Sequence, residues 1–271
     1  MKLFVITCLC SALGLIAIQA QEPQTTNSSS RSRNSNKPSS LAGLNYYQSK
    51  AQITEASIVL ILLHGYNAPA NDLVSISKKL FYQQEYRYLE RYLSCLYPIG
   101  PMETYEGGMA WSELNGEGFV RSQAKLQSFI KAVHQINPTA KIIVGGFSQG
   151  AIMTLNLMAK EIEAINAYAL FAPANMMLYK PKGLKVKPVF MTHGRQDKVL
   201  RFSESLSIKR YLEGKNYPIT WVPHEAGHIM EALSLKKFNL FIKGLFTQEE
   251  HDALQEKYQV EKSAVENTEN F

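Results

Sequence analysis

The chain has 271 residues, 45% of them hydrophobic, with a formal net charge of +6. That length suits one large domain or two small ones, and the apolar share suits a sizeable core. The positive charge is scattered rather than gathered into a dense Lys/Arg run, which reads as a solvated surface and argues against a nucleic-acid-binding face.

In chain order, Lys2 precedes an apolar run from Leu3 to Ile18, followed by Gln19-Ala20 and the polar Gln21-Glu22-Pro23. The run falls short of the ~20 residues a membrane span needs. It has the form of a secretory signal over residues 1–20 cleaved after Ala20, so an exported protein (periplasmic or secreted) without an integral membrane domain is expected. An uncleaved anchor and lipidation at Cys8 are the weaker alternatives. Cys8 and Cys10 would leave with the signal, and Cys95 alone could form no internal disulfide. Residues 21–43 are rich in Ser, Asn, Gln and Thr and read as a flexible linker; Asn27-Ser28-Ser29 is a sequon, meaningful only in a eukaryotic secretory route. The folded domain is expected over 44–246, and a charged helix and tail over 247–271.

Within the domain, short apolar runs at 57–63, 141–147, 167–171, 188–193 and 219–222, with a further one at 93–97, read as strands buried on both faces. Helical periodicity lies between and after them, at 119–136, 151–160, 203–212 and 229–246. The alternation implies an α/β fold with a mostly parallel central sheet, helices on both faces and no large cap domain. Such sheets gather their chemistry beyond the C-terminal strand ends.

Those ends carry reactive residues. Gly146-Phe147-Ser148-Gln149-Gly150 is G-x-S-x-G between a strand and a helix, the setting of a nucleophile elbow. Its glycines leave room for a sharp turn that pushes Ser148 outward, and a helix N-terminus beneath it favours an oxyanion. The expected partners follow in the order Asp197, then His228, each beyond a later strand. The backbone N–H groups of Gln149 and Tyr66 are the candidate oxyanion donors. Tyr105, Met109 and Trp111 are candidates for an apolar acyl pocket, with core packing the competing explanation. His64 and His193 are expected to shape turns and bond backbone, His224 to sit in a loop, and Ser203 to cap the following helix.

His224-Glu225-Ala226-Gly227-His228 also satisfies H-E-x-x-H, which on a helix would hold zinc with two imidazoles. Gly227 weakens such a helix by about 1 kcal/mol, and the zinc peptidase reading leaves Ser148 and Asp197 unexplained. A non-catalytic binding module on the same fold is the third alternative, since fold alone does not fix function. The serine reading needs no metal and no cofactor.

Residues 63–68 (Leu-His-Gly-Tyr-Asn-Ala), 145–150 (Gly-Gly-Phe-Ser-Gln-Gly), 193–199 (His-Gly-Arg-Gln-Asp-Lys-Val) and Gly227-His228-Ile229 together resemble the phospholipase/carboxylesterase family, which includes the acyl-protein thioesterases. Ala110-Trp111 falls where that family carries a pocket-lining aromatic segment. The resemblance covers about residues 45–245. It implies a compact α/β hydrolase acting on small-molecule or lipid esters or thioesters, with Ser148, Asp197 and His228 as triad and Tyr66 and Gln149 as oxyanion donors. Two departures stand out: Asn67 and Ala151 occupy positions where many members have glycine. The family is often intracellular, so an intracellular depalmitoylation role does not carry over easily to an exported chain.

Overall fold

The computed structural model describes residues 37–49, 51–81 and 86–269. The expected signal and most of the expected linker lie outside the described residues. In chain order the elements are β1 (Ser39–Leu41), β2 (Leu44–Gln48), β3 (Ile58–Leu63), α1 (Arg87–Arg91), β4 (Leu93–Pro98), β5 (Met102–Glu103), β6 (Met109–Ala110) and α2 (Phe119–Ile136). Then follow β7 (Lys141–Phe147), α3 (Gln149–Met158), β8 (Ile165–Phe171), β9 (Val189–Gly194), α4 (Phe202–Glu213), β10 (Ile219–His224), α5 (Ala232–Lys243) and α6 (Gln248–Glu269).

The main sheet has the order β1-β2-β4-β3-β7-β8-β9-β10. From β4 to β10 every pairing is parallel; β2 runs antiparallel to β4 and to β1. Parallel strands need long crossovers, and the helices supply them. Side chains alternate along each strand, so β3 feeds two cores at once. Val59, Ile61 and Leu63 face α2, α3 and α4, packing with Leu126, Phe129, Met153 and Ile208. Ile58, Leu60 and Leu62 face α1 and α5, packing with Leu89, Leu235, Phe238 and Ile242. Both faces are therefore dry, which is why these strands read as unbroken apolar runs.

The domain starts earlier than expected. Leu41 pairs with Leu44 across Ala42 and Gly43, both at positive φ (48° and 77°). That is a two-residue hairpin turn, which favours residues tolerating φ > 0; Ala-Gly is an inconspicuous version of it. Residues 39–41 are thus an edge strand rather than linker. Three smaller differences have local causes. The last core helix begins at Ala232, not at 229, because the Glu231 carboxylate caps it by accepting Ser234 N–H at 3.0 Å. Ser203 lies inside α4, whose N-cap is Arg201. The charged C-terminal segment is a single helix, α6, anchored by Tyr88 Oη···His251 Nδ1 (2.8 Å), Lys141–Glu250 (2.8 Å) and Arg91–Glu261 (3.1 Å). Among the described residues no helix is long and apolar enough to cross a membrane.

Candidate active site

The reactive residues gather beyond the C-terminal ends of β3, β7, β9 and β10. Ser148 joins β7 directly to α3, with φ 53° and ψ −117°. A non-glycine residue in such backbone costs on the order of 1–3 kcal/mol and persists where its surroundings dictate it. They do so here. Ser148 N–H donates to Phe171 O of β8 (2.9 Å), and Ser148 O accepts Ala151 N–H (2.9 Å) and Ile152 N–H (3.1 Å). The two motif glycines are sterically required: a Cβ on Gly150 would lie 2.1 Å from Leu63 O, and one on Gly146 would lie 2.2 Å from Gly150 C. Ala151 fits as it stands, fully buried in the core beneath the turn.

Asp197 and His228 come from neighbouring loops laced together by backbone bonds. Arg195 N–H donates to His224 O (2.7 Å), and Gln196 N–H to Ala226 O (3.2 Å). His228 Nδ1 lies 2.6 Å from Asp197 Oδ2, and the Asp197 side chain is fully shielded from solvent. The other carboxylate oxygen, Oδ1, accepts the N–H groups of Val199 and Leu200, both at 2.8 Å. Burial would push this carboxyl up. The bonds from His228, Leu200 and Val199 outweigh that and hold it below its usual range. Asp197 is thus both the turn carboxylate and the partner of His228. With Nδ1 donating to Asp197, Nε2 is the nitrogen of His228 left to exchange a proton.

The loop after β3 is braced from several directions. His64 Nδ1–H donates to Gly65 O (2.7 Å) while Nε2 accepts Gly100 N–H (2.8 Å), an arrangement that requires a neutral ring. Burial lowers its pKa in keeping with this. Trp111 Nε1–H donates to His64 O (3.0 Å), and Trp111 N–H donates to Gln149 Oε1 (2.8 Å). The Gln149 amide also donates to Ser112 O (2.8 Å). Asn67 sits at φ 57°, in the left-handed region that favours glycine and next favours asparagine. Its Oδ1 accepts Thr104 Oγ1–H (2.5 Å) and Gly108 N–H (3.2 Å), and its Nδ2 donates to Glu106. The glycine-to-asparagine departure therefore preserves the backbone and adds a clamp onto the β5–β6 hairpin. Tyr66 lies between these braces, and the N–H of Gln149, at the first position of α3, has no acceptor within the helix.

The three pocket candidates do not share one open wall. Trp111 is fully buried and acts as the brace just described. Tyr105 is wholly exposed on the β5–β6 turn, and Met109 is half-buried with its N–H on Ala68 O (2.8 Å). Two open concavities lie at the other end of the sheet, one around Ser57 and Lys141 and one around Pro188 and Thr220.

H-E-x-x-H does not form one helix. His224 closes β10, residues 225–229 are bends, and α5 starts beyond them. His224 is buried rather than in a loop, and neither of its ring nitrogens has a hydrogen-bond partner among the described residues. His64 bonds backbone as expected. His193 does so through Leu200 O, but it also touches Asp197 and Ser205. Sequence reasoning missed that role, and it missed the Gln149 and Asn67 side chains, whose partners lie 37–41 residues away.

A mostly parallel sheet flanked by helices, with a strained serine at a strand–helix turn and a histidine–aspartate pair on the same rim, defines an α/β hydrolase. Residues 46–245 match the sequence profile described as Phospholipase/Carboxylesterase, and the chain belongs to that family of serine hydrolases. Among curated relatives, acyl-protein thioesterase 1 of Debaryomyces hansenii is 33% identical over 111 residues, covering 38% of this chain and 47% of that protein. The Neurospora crassa protein of the same name is 32% identical over 120 residues, covering 41% and 49%. The chain spans about half the length of these relatives. Among solved structures, a Bacillus cereus carboxylesterase superposes with a TM-score of 0.60 at 20% identity, covering 75% of this chain and 95% of that one. Esterase PE8 superposes at 0.59 and 19% identity, covering 75% and 99%. At such identities these structures speak to the fold.

Proposed function

We propose that the protein is an exported serine carboxylesterase that hydrolyses carboxylic esters, with thioesters and lysophospholipids inside the same chemical range. The observation that carries the reading is the 2.6 Å His228 Nδ1–Asp197 Oδ2 contact on the rim that holds the strained Ser148. Fungal relatives named acyl-protein thioesterases support including thioesters. Export rests on the leader pattern in residues 1–20, and N-terminal sequencing of the exported protein should start at Gln21.

The mechanism is two-step acyl transfer. Ser148 Oγ attacks the carbonyl carbon while His228 Nε2 takes its proton, and Asp197 orients the ring and stabilises its positive charge. The N–H groups of Tyr66 and Gln149 hold the oxyanion. His228 then passes the proton to the departing alkoxide or thiolate, leaving an acyl ester on Ser148. A water, deprotonated by the same nitrogen, attacks that ester and releases the acid.

The test is hydrolysis of p-nitrophenyl esters across acyl lengths by residues 21–271. Parallel samples contain Ser148→Ala, a fluorophosphonate probe or a chelator. Ser148→Ala should lose hydrolysis and labelling while keeping its circular dichroism spectrum, and the chelator should do nothing. Turnover retained by that variant would sink the proposal; loss with the chelator alone would revive the zinc reading. Folded protein that neither turns over nor labels would favour a binding module.

A further inference from the structure

Asp197 is touched by a second histidine. His193 belongs to β9 and is fully buried. Its Nε2 lies 3.0 Å from Leu200 O, to which its N–H is directed, and 3.0 Å from Asp197 Oδ2. Two acceptors around one nitrogen place the proton there. Nδ1 is then the acceptor, and Ser205 Oγ of α4 stands 2.5 Å from it. Burial lowers the pKa of this ring, in keeping with a neutral tautomer.

The placement matters because two of the ring's three polar partners, Asp197 and Leu200, lead to the same carboxylate. Oδ2 is the oxygen that binds His228 Nδ1, so His193 borders that bond directly. Leu200, whose carbonyl His193 holds, is the residue whose N–H donates to Oδ1 at 2.8 Å. One imidazole thus fixes both oxygens, one by contact and one through the 197–200 turn. Ser205, which gives its one hydroxyl hydrogen to Nδ1, belongs to α4 and so ties the ring to that helix; Pro173 O lies 3.2 Å from the same hydroxyl oxygen. Structural burial alone would be met by any apolar side chain of similar size. A ring fixed at both nitrogens, with its polar edge on a shielded carboxylate, does more.

We propose that His193 is a positioning residue for the hydrolytic reaction: it holds the Asp197 carboxylate, directly and through Leu200, in the orientation that aligns His228. The inference rests on the serine-hydrolase reading. His193 touches no reacting atom, so its removal should lower turnover without weakening substrate binding.

The experiment compares wild type, His193→Phe and His193→Gln in residues 21–271, with two readouts. Steady-state ester hydrolysis should show kcat reduced on the order of 10- to 100-fold in His193→Phe with KM little changed, the scale of a misaligned catalytic group. The Nδ1–H resonance of His228, assigned by its loss in His228→Gln, should be downfield in wild type and broadened or moved upfield in His193→Phe. Glutamine presents an amide N–H near the position of Nε2 and should recover most of both signals. Wild-type kcat and an unmoved resonance in folded His193→Phe would overturn the proposal, as would equal losses in both variants. If His193→Phe does not fold, Ser205→Ala decides, because it frees the ring at Nδ1 and should move both readouts the same way by less; no movement overturns it. If the wild type hydrolyses no ester, the functional reading fails, yet the His228 resonance still reports whether His193 sets the Asp197–His228 bond.

Discussion

Replacing Asn67 separates a backbone requirement from a side-chain clamp. At φ 57°, glycine is unstrained, whereas alanine is disfavoured by about 1 kcal/mol net. Asn67→Gly keeps the backbone and removes the bonds to Thr104 Oγ1, Gly108 N and Glu106. Each neutral bond is worth roughly 1 kcal/mol, and the pair to exposed Glu106 less, so the loss should total about 2–3 kcal/mol. Asn67→Ala should lose that and about 1 kcal/mol more. Urea unfolding measures both. The kinetic consequence falls on Tyr66, whose N–H is the proposed oxyanion donor beside the clamp. Looser placement should lower kcat on the order of 10-fold, short of the 100- to 1000-fold expected for outright loss of a donor. An Asn67→Gly protein with wild-type urea midpoint and wild-type kcat would refute the clamp. Equal stability of the glycine and alanine variants would refute the backbone argument.

Gly150→Ala should destabilise the fold by several kcal/mol or prevent folding, because its Cβ would meet Leu63 O at 2.1 Å and both groups are held by backbone; thermal melting checks this. Acidification should destabilise the protein below about pH 6.5. Burial depresses His64, His193 and His224, so below their unfolded value the unfolded chain binds more protons and stability falls as pH drops. Three such groups set a limiting slope of about 4 kcal/mol per pH unit, with the depressed Asp197 adding a further loss at lower pH. Denaturant midpoints at pH 7.5 and 5.5 should differ accordingly, and equal midpoints would show that the rings titrate normally.

Much of this protein was legible from local pattern. The apolar run behind Lys141, residues 142–147, marks a strand buried on both faces, and the expected strand 141–147 matched β7 residue for residue. Gly146 and Gly150 around Ser148 announced a turn that only bare backbone can make. Chain order then offered Asp197 and His228. The edge was less legible. Leu44–Gln48 mixes Leu and Tyr with Asn and Gln because the strand lies near the end of the sheet, and its hairpin turn carries no asparagine to advertise it.

What only the tertiary structure decided is which polar groups meet in the interior. His224 and His228 are spaced for a helix, but pairing of β10 with β9 holds His224 in a strand and sends His228 to Asp197. Trp111, read as either a pocket wall or core packing, is a buried brace between His64 and Gln149. His193 looked like a turn former and lies against the Asp197 carboxylate. Periodicity and turn chemistry are local properties that a sequence carries directly. Which polar groups satisfy one another in the interior depends on how strands far apart in the chain pair and on how their loops then meet.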